Sequence, residues 1–82
     1  MSRISQKNFE RIAENALQIL YDSYPVALST SKVAVELARD NEFAGKVLDF
    51  LAGKGFVLKK DKENRIDWLL TKGTKEKYDK LV

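Results

Sequence analysis

The chain has 82 residues, 44% of them apolar and 33% charged, with a formal net charge of +3. That length suits a single small domain spanning residues 1–82 and leaves no room for a second one. Cysteine and histidine are both absent, which removes disulfides, thiolate metal sites, the usual general base near neutral pH and every Ser-His or Cys-His pairing.

The opening MSRISQKNFE lacks the apolar segment of a signal peptide, and no run approaches the roughly 18 apolar residues of a membrane span, so the expectation is a cytoplasmic protein with no membrane partner. Phe9, Ile12, Ala13, Ala16, Leu17, Leu20 and Tyr24 recur at three- and four-residue steps, which predicts a first amphipathic helix from about Ser5 to Asp22. Pro25 ends it, because the residue before a proline is pushed out of the helical region. Val26 to Leu28 can form a short strand. Ser29 to Ser31 then supply hydroxyl caps for a second helix whose core face is Val33, Ala34, Leu37 and Ala38.

Arg39, Asp40 and Asn41 form a short polar interval in which Asp or Asn can cap a third helix. At about 100° per residue, Phe43, Ala44, Val47, Phe50 and Leu51 fall on its core side, opposite Asn41, Glu42, Gly45, Lys46, Asp49 and Ala52. Gly53 and Gly55 mark its stop, where a residue with positive φ satisfies the last carbonyls. Two strands follow, Phe56 to Lys60 and Arg65 to Leu70, joined by the charged loop DKEN. Ile66, Trp68 and Leu70 alternate with Asp67 and Leu69, giving an apolar face for the helices, with Trp68 inward. Thr71 or Thr74 can cap a last helix that turns Tyr78 and Leu81 inward, while Tyr21 and Tyr24 fit either the core or a dimer contact. Phe9, Ile12, Leu17, Leu20, Val33, Leu37, Val47, Leu51, Phe56, Ile66 and Trp68 are expected to share one core.

Charge is unevenly spread: residues 1–40 carry five basic and five acidic side chains, and residues 41–82 carry ten and seven. Lys54, Lys59, Lys60, Lys62 and Arg65 face only Asp61 and Glu63 in the stretch between them. Such a local excess fits a phosphate-facing edge, and also an ordinary solvated hairpin. The remaining carboxylates, lysines, tyrosines and hydroxyls are scattered without the convergent spacing of a catalytic signature. The expectation is therefore a protein that is not an enzyme, with no catalytic residues, no cofactor and no metal.

Helix, short strand, helix, turn, helix, hairpin, helix is the order of a winged helix-turn-helix domain, an α+β class dominated by helices. VLDFLAGKGFVLKK resembles the segment of the MarR, ArsR and PadR-like bacterial and archaeal regulators in which the recognition helix runs through leucine and glycine into the first wing strand. LLTKGTKEKYDKL resembles the start of the helix after the wing in the same superfamily, and the resemblance covers essentially the whole chain.

The resemblance implies binding to double-stranded DNA, with the third helix in the major groove and the wing against the backbone or minor groove. It would place Asn41, Glu42, Gly45, Lys46 and Asp49 at the groove, Lys59, Lys60, Lys62, Asn64 and Arg65 on the wing edge, and Lys32 near a phosphate. The third helix offers one lysine, no arginine and two carboxylates on that side. Phosphate contacts from the wing and the start of the second helix should therefore carry most of the affinity, with modest base contacts from Lys46 and Asn41. The function expected is that of a transcriptional regulator or DNA-associated accessory protein, located on the nucleoid. The alternative is a winged helix used as a protein-protein interaction module, for which Glu42 and Asp49 are no handicap. Further partners to be weighed are a second copy of the chain, meeting it through Ile4, Ile19, Leu81 and Val82, and a protein partner.

Overall fold

A computed structural model of the chain describes residues 6–81. The elements are α1 (Gln6–Ser23), β1 (Leu28–Ser29), α2 (Thr30–Leu37), α3 (Asn41–Gly53), β2 (Val57–Asp61), β3 (Ile66–Leu70) and α4 (Lys72–Leu81). The strands form one antiparallel sheet in the order β1-β3-β2, so β3 is central and the hairpin is tied to the start of α2 through β1. The expected Ser5 start of the first helix lies outside the described residues, as do Ile4 and Val82. The strand anticipated at Val26 to Leu28 begins later, because Val26 belongs to the turn: its N–H donates to the Ser23 carbonyl and its own carbonyl accepts from the Ser23 hydroxyl.

Local chemistry sets the helix boundaries. Ser29 caps α2 by accepting from the Lys32 N–H at 3.1 Å, and Asp40 caps α3 by accepting from the Phe43 N–H at 2.7 Å. Glu42 lies in the first turn of α3, where a carboxylate is favoured by the helix dipole. At the far end of α3 the Gly55 N–H donates to Ala52 and the Phe56 N–H to Leu51, with Gly55 at φ +82°. This double closure turns the chain directly from α3 into the hairpin. Gly55 supplies the positive φ expected there, and Gly53 stays within the helix.

The same closure ends α2, but here the left-handed residue is Ala38, at φ 58°. Ala38 was expected on the core face. Instead it is exposed, because reversing the chain towards α3 after so short a helix takes it out of the helical arc; a side chain in that conformation costs about 1–2 kcal/mol.

One core joins α1, α2, α3 and the sheet, and all eleven residues expected to share it are either buried in it or packed against it. Leu48 is an addition, fully buried although it lies beyond the anticipated face of α3. The reason is that α3 packs on α1, α2 and β2 together, which widens its buried arc. Leu81 is the opposite correction: it is 79% exposed, because the side chains through which α4 meets the end of α1, Lys75, Tyr78 and Asp79, all precede it. Tyr21 and Tyr24 serve within the chain. The Lys75 ammonium lies 5.5 Å from the Tyr21 ring centre and 5.2 Å from that of Tyr24, and Asp79 accepts from both Lys75 (2.7 Å) and the Tyr21 hydroxyl (2.8 Å). Tyr78 packs on Tyr21 with ring centres 5.4 Å apart. These contacts clamp α4 to the end of α1.

Two outcomes follow from this packing. Leu48→Ala should lower unfolding free energy in urea by about 2–5 kcal/mol, whereas Leu81→Ala should stay within about 0.5 kcal/mol of the parent. The clamp should also give stability a pH signature. The Asp79 carboxyl is held below its ordinary range by hydrogen bonds from Lys75 and Tyr21, so its contribution is present above the unfolded value of 3.8 and is lost as pH falls through the lower folded value. The hydrogen bond to Asp79 raises Lys75 above its ordinary 10.5, so that contribution is lost as pH rises through the higher folded value. Asp79→Asn should therefore flatten the dependence of the urea midpoint on pH at both ends, most visibly below about pH 4.

Candidate nucleic-acid interface

The sheet register sorts the basic residues of the wing onto two faces. Lys59 pairs with Trp68 and Lys60 with Asp67, so successive lysines point to opposite sides of the hairpin. Lys59 turns towards α3: its ammonium lies 3.9 Å from Asp49 Oδ1 and 5.8 Å from the centre of the Trp68 ring. It braces the wing against α3. Lys60 is exposed on the other side of the hairpin.

At the tip, the Lys62 N–H donates to the Arg65 carbonyl at 2.8 Å and closes the loop. The loop residues Lys62, Glu63, Asn64 and Arg65 form one wall of a cleft of about 430 Å³ whose other wall is Ser29, Thr30 and Ser31, at the start of α2. Three expected site residues, Lys62, Asn64 and Arg65, thus meet. Lys32 does not join them; it lines a separate depression beside the end of α1 and lies 3.7 Å from Glu36 on its own helix.

In the sequence the hydroxyl wall carries only a capping signal. Each hydroxyl is already an acceptor: Ser29 Oγ from the Lys32 N–H, Thr30 Oγ1 from the Trp68 indole N–H at 2.8 Å, and Ser31 Oγ from the Asn41 side-chain amide at 2.9 Å. Their protons remain available for donation, and among the described residues none is hydrogen-bonded to a protein acceptor. The cleft therefore presents O–H donors on one side and cationic or amide donors on the other, with Glu63 as the one carboxylate of its lining. Such a surface suits an anion.

On α3, Glu42, Lys46 and Asp49 are exposed and Asn41 is held by Ser31. Lys46 has no ion-pair partner among the described residues. Gly45 is half-buried, and a methyl placed on it would meet its nearest neighbour, Thr30 Cγ2, at an ordinary 4.0 Å. Packing within the chain therefore does not require the glycine. Among the described residues no group of three or more acidic, histidine or cysteine side chains could hold a metal, and no helix is long and apolar enough to cross a membrane.

Similar architectures occur among solved structures. Staphylococcus aureus MepR in its complex with DNA superposes with a TM-score of 0.78 at 18% identity, covering 92% of this chain and 64% of that one. Lactococcus lactis ZitR, in an apo double mutant, gives a TM-score of 0.73 at 18% identity, over 92% of this chain and 57% of that one. The fold is a winged helix-turn-helix. A candidate DNA-binding protein from Ralstonia eutropha (TM-score 0.73, 17% identity) matches over 87% of this chain and 94% of its own. The chain spans little more than half of another MepR structure, 54%. No protein-family model matches the chain, and no curated protein matches it in sequence. Within the winged helix, α2 and α3 form the helix-turn-helix and β2–β3 the wing.

Because a glycine inside a helix costs about 1 kcal/mol relative to alanine, Gly45→Ala should raise stability by up to that amount in thermal or urea unfolding. If α3 enters a groove closely at this point, the same variant should bind duplex DNA more weakly while being more stable.

Proposed function

We propose that this chain is a small winged-helix DNA-binding protein, a transcriptional regulator or DNA-associated accessory protein acting on the chromosome in the cytoplasm. Binding is mainly to backbone phosphates, through the wing and the start of α2. The observation that carries this reading is the donor-lined cleft in which Lys62, Asn64 and Arg65 face the hydroxyls of Ser29 to Ser31. MepR, of similar fold, has been solved bound to DNA. Lys46 is the side chain of α3 freest to reach a base edge, whereas Asn41 would first have to release Ser31. Phosphate binding therefore outweighs sequence readout. Gly45 and Lys60 are secondary members of the surface and Lys32 an outlying one.

Lys59 acts chiefly as a brace, since Asp49 and Trp68 both hold it. A second copy of the chain would meet the first through α1 and α4, where Ile19 is half-buried and Leu81 is exposed. One observation favours the alternative, a protein-interaction surface: Glu42 and Asp49 flank Lys46 on the outer side of α3.

The deciding experiment is a salt series of duplex binding. Lys62→Gln combined with Arg65→Gln should weaken binding to all sequences alike and reduce the slope of log affinity against log salt by about 0.9 for each phosphate that is no longer neutralised. Lys46→Gln should alter preference among sequences, and Glu42→Gln should strengthen non-specific binding. A chain without duplex affinity at low salt would sink the DNA reading and leave the protein-interaction surface.

A further inference from the structure

Asp67 is the unexpected residue of the wing. It lies on the central strand with its side chain on the opposite face from Trp68, where a solvated carboxylate would be ordinary, yet it is only 4% exposed. Burial follows from its place in the sheet, flanked by Ser29 of β1 and Lys60 of β2. A carboxylate removed from water is costly unless a charge or donor compensates it. Its Oδ1 has no aligned hydrogen bond, and the cation within ion-pair distance is the Arg65 Nε at 3.1 Å. The contact is thus a close charge pair rather than a well-directed hydrogen bond.

Arg65 is itself 66% exposed, and its terminal nitrogens meet no acceptor among the described residues. A guanidinium carries five N–H donors in a fixed plane, so a charge contact at Nε leaves the N–H groups of both terminal nitrogens free to donate. Arg65 lines the cleft, and the Thr30 and Ser31 hydroxyls on the far wall keep their protons to donate.

We propose that Asp67 is a positioning residue that holds Arg65 by its Nε, so that one DNA phosphate is gripped between the guanidinium fork and the hydroxyls of Thr30 and Ser31. The proposal rests on the DNA reading and adds a residue with the wrong charge for a DNA surface. Electrostatics at long range and positioning make opposite forecasts for Asp67→Asn. Removing a negative charge should tighten binding; releasing Arg65 should loosen it.

The test measures affinity for a short random-sequence duplex at low salt, with thermal unfolding of every variant alongside. Asp67→Asn should weaken binding about five- to tenfold, the scale of one charge-assisted contact. Arg65→Lys, which keeps the charge but lacks Nε and the fork, should weaken binding as much as Arg65→Gln. In the Arg65→Gln background, Asp67→Asn should bring no further weakening. Unchanged or tighter binding by Asp67→Asn overturns the proposal, as does a weakening that persists without Arg65. Should Asp67→Asn fail to fold, a wild-type affinity for Arg65→Lys overturns it instead. The Arg65 Nε–H signal in NMR of the free protein separates the two layers. Its sharpening should depend on Asp67. An ordered signal in a chain that binds no duplex overturns the DNA reading and keeps the positioning; a signal indifferent to Asp67→Asn overturns the positioning while DNA binding stands.

Discussion

The hydrogen bond from the buried Trp68 indole to Thr30 fixes the relation between the wing and the helix-turn-helix. Trp68 stands at the middle of the central strand, opposite Leu28 on one side and Lys59 on the other. Its apolar area anchors the sheet in the core, and its one polar atom finds a partner in the first residue of α2. A buried indole N–H left unpaired would cost about 1–3 kcal/mol. The bond therefore favours one seating of the hairpin against α2 over others that bury the ring equally well. The cleft at the wing tip exists because that seating brings residues 62–66 level with Ser29 to Ser31.

Around this bond the polar contacts form a continuous set. Thr30 accepts from Trp68, the neighbouring Ser31 accepts from Asn41 at the start of α3, and Lys59 reaches from the wing over Trp68 to Asp49. Start of α2, start of α3 and wing are thereby held in register. An extended phosphate backbone touches several surfaces at once, and its affinity depends on their spacing being set before contact. The exposed Lys59–Asp49 pair contributes little to stability by itself, and its value is geometric.

Carboxylates would be unfavourable on a DNA-binding surface, and three of those here have local explanations. Glu42 sits in the first turn of α3, where the helix dipole favours it; Asp49 holds Lys59; Asp67 lies beside Arg65. Each has a structural position that net charge does not reveal. The surface is thus moderately basic, with its free donors concentrated at the cleft. The proposed preference for gripping the backbone over reading bases along α3 rests on that arrangement.

The sequence determined the elements and their order, because the signals are local. Apolar spacing marks α1 and α3, Ser29 and Asp40 are cap residues, and Gly55 supplies the positive φ that turns α3 into the hairpin. Leu48 and Ala38 escaped it, since the width of a buried arc and the point at which a short helix must reverse depend on neighbours far along the chain. The candidate site divides in the same way. Lys62, Asn64 and Arg65 were legible as a basic tip, but Ser29 to Ser31 looked like capping residues alone, and Asp67 like an ordinary outward strand position. What they do depends on β1 pairing with β3, a contact between residues nearly forty positions apart in the chain. Only that pairing makes β3 central, buries Asp67 beside Arg65, and sets the hydroxyls of α2 across the cleft from the wing tip.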